Sequence, residues 1–182
     1  DFPSQFSCEL EGSSLKKSLE KIPQEAFLKN QETTILMLFH QKWGSRVLLK
    51  GVVLPFEDRF SYIEKIFDFV FPFIQKKDFK DFQENFTLFD VNQGGFKLKK
   101  NKTQGSYLEI FFNSLGQPRM VKEIKGDQVL LNIQIQYSSY KKYEVPTETR
   151  VLFYEEEGTK RLKFRLMNFN DKPNITEEDF LG

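Results

Sequence analysis

The chain is short of the residues on which most chemistry depends. In 182 residues it has one cysteine, Cys8, one histidine, His40, one tryptophan and a single alanine, Ala26. With a lone cysteine no internal disulfide can form, so export to an oxidising compartment is neither required nor excluded. A lone histidine within an apolar run, with no serine or cysteine partner in a recognisable motif, reads as a packed or surface side chain rather than a general base. Metal-ligand spacing is lacking, and no cofactor is expected. The segment "NQGGF" is turn chemistry and not a phosphate loop. The paired carboxylates of Glu155, Glu156 and Glu157 sit at a hairpin turn and read as a solvated face. Charge of one sign is also missing: 27 Lys and Arg against 26 Asp and Glu leave a net charge of +1, so no overall field steers the chain toward nucleic acid. No run approaches the ~18 apolar residues that span a bilayer. An enzymatic activity is not expected.

What is present is phenylalanine, 21 copies in a chain of mean hydropathy -0.50. Large apolar side chains scattered among many charges imply strongly two-faced elements. The length suits one domain, taken as residues 1–182 with 1–12 as a flexible N-terminal segment. An amphipathic helix is predicted from Ser13 to about Leu28, on the spacing of Leu15, Leu19 and Ile22 with Ser14 as its cap. A hairpin follows, Thr33–Gln41 and Ser45–Pro55, turning at "KWGS". The period then switches: Phe56, Phe60, Ile63, Phe67 and Phe71 fall four, three, four and four apart, which places them on one side of a helix that Pro72 ends. A second amphipathic stretch carries Phe79, Phe82 and Phe86.

After Asn92 the pattern is that of strands. Six runs from "GFKLKKN" to "TKRLKFRLMNFN" are separated by glycine and asparagine turns, which predicts an antiparallel meander. Leu131, Ile133 and Ile135 alternate with Asn132, Gln134 and Gln136, and Leu162, Phe164 and Leu166 alternate with Lys163 and Arg165, so one face is apolar and the other wet. The apolar face needs a cover, and the phenylalanine-bearing helices supply it. The expected architecture is α+β, a curved, mostly antiparallel sheet wrapped around two or three amphipathic helices.

Two passages then carry a resemblance. "YSSYKKYEVPTET" leads into the penultimate strand, and the last strand runs into "NFNDKPNITEEDF", with "NSLGQPRMVKEI" as a middle hairpin. Through Tyr137, Tyr140, Pro146, Asn170, Pro173 and Phe180 this C-terminal half resembles the outer-membrane lipoprotein carrier family, the LolA-like fold. The resemblance implies an incomplete β-barrel whose helices close its mouth over an apolar cavity, and non-enzymatic binding or transport of lipids or lipoprotein acyl chains in a bacterial envelope. The implied setting is the periplasm or the outer membrane, after removal of a signal peptide, with a monomer meeting a lipid or acylated protein and a membrane surface or envelope protein.

The candidate cavity residues are Phe60, Ile63, Phe67, Phe71, Phe79 and Phe82 on the helices, with Leu131, Ile133, Ile135, Leu162, Phe164 and Leu166 on the sheet. A wall of this kind would gain ~0.8 kcal/mol for each CH₂ it takes from water. Each residue equally suits a plain core, and the alternative function is a sensor or assembly domain of the same fold whose interior its own side chains fill. Cys8 reads as a packed thiol or, given a cleaved leader, a lipid attachment site. Lys97, Lys99, Lys100 and Lys102 beside Phe96 fit a guarded strand edge or a rim for anionic headgroups, and no nucleic-acid partner is expected.

Overall fold

The structure is a computed structural model and describes residues 2–53, 60–74, 87–91, 95–101 and 105–181. Among these, ten strands form one antiparallel sheet. They are β1 (Gln5–Glu11), β2 (Thr34–His40), β3 (Gly44–Lys50), β4 (Thr87–Val91), β5 (Gly95–Asn101), β6 (Ser106–Phe112), β7 (Pro118–Lys125), β8 (Gln128–Tyr140), β9 (Tyr143–Glu155) and β10 (Gly158–Asn170). Two helices are described, α1 (Ser13–Leu19) and α2 (Ser61–Ile74), with 3-10 turns at Gln24–Ala26 and Glu177–Phe180. The spatial order is β3-β2-β1-β10-β9-β8-β7-β6-β5-β4, so the meander from β4 to β10 joins the N-terminal strands through the β1–β10 pair.

The sheet is curved and open, an α+β incomplete barrel. β3 and β4 stand at opposite ends of the order and do not pair with each other. α2 packs against β3 at one end and also touches β7, while its rings reach β1, β2 and β10 in between. Register shifts at Ser7/Glu9, Phe111/Phe112, Glu123/Ile124 and Gln136/Tyr137 mark the places where the ladder bends, since an extra residue in one strand bends it and increases its twist.

The expected flexible segment 1–12 is corrected by β1, which lies in the sheet between β2 and β10. Phe6, Cys8 and Leu10 alternate with Gln5, Ser7 and Glu9, and all three apolar side chains are buried. That period of two buries enough surface to order the segment. The first helix is shorter than expected, because α1 ends at Leu19 and Pro23 precedes a separate 3-10 turn. Its N-cap is Gly12, not Ser14. A Cβ at Gly12 would lie 2.3 Å from the Lys163 carbonyl oxygen, so only glycine lets the chain cross β10 this closely. Pro72 does not end the second helix at once, as α2 continues to Ile74. β4 occupies a segment for which the sequence reading has no strand.

Candidate functional site

The concave face of the sheet and the apolar side of α2 meet in one cluster. From α2 and the turn before it come Phe60, Ile63, Phe67 and Phe71, and from the sheet Ile133, Ile135, Phe164 and Leu166, all between 0% and 8% exposed. Leu131 and Leu162 are half-buried against the same cluster. Ten of the twelve predicted wall residues are thereby brought together, while Phe79 and Phe82 lie outside the described residues.

The aromatic geometry is dense. Phe67 stacks on Phe71 at 5.0 Å between ring centroids and meets Phe164 edge-on at 5.8 Å. Phe71 reaches Phe39 of β2 at 4.5 Å and Phe6 of β1 at 5.1 Å. Phe6 continues to Phe169 at 4.6 Å, which touches Tyr140 at 4.7 Å. Offset and edge-on pairs of this kind contribute roughly 0.5–1.5 kcal/mol beyond their buried area. Phe6, Phe39 and Phe169 are the members that the sequence reading does not single out. The alternation of Phe6, Cys8 and Leu10 could have announced the first, and "TILMLF" the second.

Polar groups are few inside. Among the described residues the buried polar side chains are Ser45, Ser106, Gln117 and Thr149, none of them charged. The Tyr137 hydroxyl donates to the Pro118 carbonyl, and burial pushes its phenol pKa up. Cys8 is 2% exposed on the core side of β1, and burial, then the charge of Glu9, push its thiol up. An acyl group attached there would displace core side chains rather than reach a bilayer.

α2 is held to the sheet by more than its phenylalanines. Glu64 and Asp68, one turn apart on the helix, accept hydrogen bonds from the backbone N–H groups of Val47 and Ser45, each at 2.7 Å. Ser45 and Val47 lie two apart on β3, so both amides point the same way, out from an edge with no strand beyond it among the described residues. Two carboxylates thereby take the place of a missing neighbour and blunt an edge that could otherwise pair with another chain. Gly44 starts β3 with φ +84, and a Cβ there would come within 3.0 Å of the Asp68 carboxylate. At the other side of this hairpin the C-terminal tail docks, Phe180 lying 5.5 Å from Trp43, whose ring stacks on His40 at 3.9 Å. Thr176 and Asp179 close that tail with a capping box.

Among the described residues no group of three or more His, Cys, Asp and Glu could hold a metal, and no helix is long and apolar enough to cross a membrane. His40 accepts the Lys42 amide at 3.1 Å through Nδ1 and faces Trp43.

The class of structure is thus an open antiparallel sheet curled around an aromatic-faced helix. No protein-family model matches the sequence, and no curated protein does. Among solved structures it is similar to an outer membrane lipoprotein-sorting protein domain from Vibrio parahaemolyticus, at 12% identity and a TM-score of 0.44 over 98% of this chain and 88% of that one. A likeness of that size carries no argument about activity.

Proposed function

We propose that this chain is a non-enzymatic binder of lipids or of lipoprotein acyl chains in a bacterial envelope, taking the hydrocarbon between α2 and the concave face of the sheet. The observation that carries the reading is the composition of that interior. A continuous aromatic and aliphatic cluster runs from β2 to β10 and on to β6 with no buried charge among the described residues. An acyl chain asks for no more than this. At ~0.8 kcal/mol per CH₂, ten methylenes moved from water supply roughly 8 kcal/mol, which exceeds the ~1.5–3 kcal/mol of each hydrogen bond that ties α2 to β3.

The tight packing of Phe67, Phe71 and Phe164 favours a second reading, an interaction domain of the same fold with a self-filled interior. Native mass spectrometry of freshly purified protein, followed by organic extraction, separates the two. A stoichiometric lipid, lost in Phe67→Asp while the far-ultraviolet dichroism is kept, supports the carrier. An apo mass that phospholipid and acylated peptide leave unchanged removes it.

A further inference from the structure

The opposite face of the same sheet has a different character. Along β9 the side chains of Glu148, Arg150, Leu152 and Tyr154 alternate outward, and the register sets Arg165, Lys163 and Arg161 of β10 beside the first three. Arg150 and Lys163 are therefore direct cross-strand neighbours of like charge, an arrangement that normally costs stability. Glu148 lies between them and takes all the nearby cations, Arg150 at 2.9 Å, Arg165 at 3.2 Å and Lys163 at 3.5 Å. These three side chains are 52%, 56% and 45% exposed, whereas the Glu148 side chain is 12% exposed. Partial burial works to raise the Glu148 carboxyl, yet the Arg150 hydrogen bond and the charges around it hold it below its ordinary range. Arg161, on the same face, makes no ion pair among the described residues.

The surplus is positive and local. Three cations meet one carboxylate and a fourth, Arg161, stands on the same face opposite Leu152, in a chain whose net charge is only +1. A groove of about 410 Å³ runs beside the start of α1, walled by Arg150, Arg161 and Lys163 and by the apolar Leu152. A smaller one of about 230 Å³ lies between Lys16, Lys163 and Arg165, with Glu11 at its margin. Tyr154 and Met167, 41% and 39% exposed, flank the cations on the same side.

We propose that this outer face docks on an anionic lipid bilayer, the headgroup phosphates lying against Arg150, Arg161, Lys163 and Arg165. The cations are long and half-exposed, the form that reaches phosphates while its stem lies on apolar surface. An exposed tyrosine suits the headgroup level. A phosphate between Arg150 and Lys163 relieves their mutual repulsion, which Glu148 alone offsets only in part. The site does not depend on the acyl-chain reading, since that concerns the other face.

The test is co-sedimentation with phosphatidylglycerol-containing vesicles and with pure phosphatidylcholine vesicles. Near an anionic surface each cation is worth about fivefold in affinity. Arg161→Ala with Lys163→Ala therefore weakens binding to the anionic vesicles about 25-fold, while Lys21→Ala with Lys29→Ala leaves it unchanged. Wild-type binding also falls as salt is raised, a measurement that holds even if a variant fails to fold. Equal binding to both vesicle types, binding to neither, or equal losses in the two double variants would overturn the proposal. So would saturable binding of polyglutamate without binding to vesicles, which gives the face to an acidic protein.

Discussion

Replacing Phe67 by alanine removes a ring that is 0% exposed and pinned from two sides, by Phe71 at 5.0 Å and Phe164 at 5.8 Å. If this interior is packed as densely as a protein core, the loss is ~3–5 kcal/mol, from lost transfer energy and the cavity left behind. A chain of this length moves its melting midpoint by roughly 2–4 °C per kcal/mol, so Phe67→Ala should melt ~6–20 °C lower. Urea titration followed by circular dichroism measures the change directly, with a fall of ~1.5–2.5 M in the midpoint for a slope of about 2 kcal/mol per molar. The variant also acquires a dry cavity lined by phenylalanine and aliphatic groups. A short alkane added in excess should raise its melting point by more than it raises that of the wild type, because the variant's cavity is open without parting α2 from the sheet. A loss below about 1 kcal/mol at an unchanged slope would refute the reasoning, because it would mean that Phe67 is not holding α2 on the sheet.

The remaining expectations concern the edge clamp, the thiol and the outer ion pairs. Asp68→Ala leaves the Ser45 amide without its 2.7 Å partner, which should cost ~1.5–3 kcal/mol and accelerate hydrogen exchange at Ser45 while the β8–β9 amides keep their protection. Unchanged exchange at Ser45 would show that the edge is not held this way. Cys8 should resist Ellman's reagent in the native protein and react fully in urea, since burial raises its thiol pKa; rapid native labelling contradicts the placement of β1. Lys141 and Asp171 are joined at 2.8 Å, the hydrogen bond from Lys141 holding the Asp171 carboxyl down while the lysine is raised. A depressed carboxyl stabilises above its unfolded pKa and loses that share as pH falls through its folded value. A raised lysine loses its share as pH climbs through the folded value. Lys141→Ala should therefore flatten both limbs of a melting-temperature profile, and a profile parallel to wild type would remove the pair from the account.

The sheet was legible where glycine turns punctuate clean alternation, as in β8 to β10, and the face of α2 was legible from its phenylalanine spacing. What escaped was β1. Its seven residues have the alternation of a strand, but nothing local says that Phe6 and Cys8 find Phe39 and Met37 across the pair with β2. The edge clamp was also hidden, because Glu64 and Asp68 look like any solvated helix face until the fold brings β3 alongside. The same holds for the outer cations. Alternation marks Lys163 and Arg165 as wet, yet only the register shows that Arg150 stands opposite Lys163 and that one glutamate serves three of them. Pattern reports which way a side chain faces, and long-range pairing decides what it meets.

The claim that hydrocarbon lies between α2 and the sheet is tested most directly by photolabelling. A fatty acid with a diazirine at mid-chain is bound, irradiated, and the labelled positions are read by peptide mass spectrometry. The account requires label on Phe67, Phe71, Ile133 and Phe164, suppressed by excess unlabelled lipid. Label confined to the outer-face residues of β9 and β10, or no saturable label at all, would contradict it.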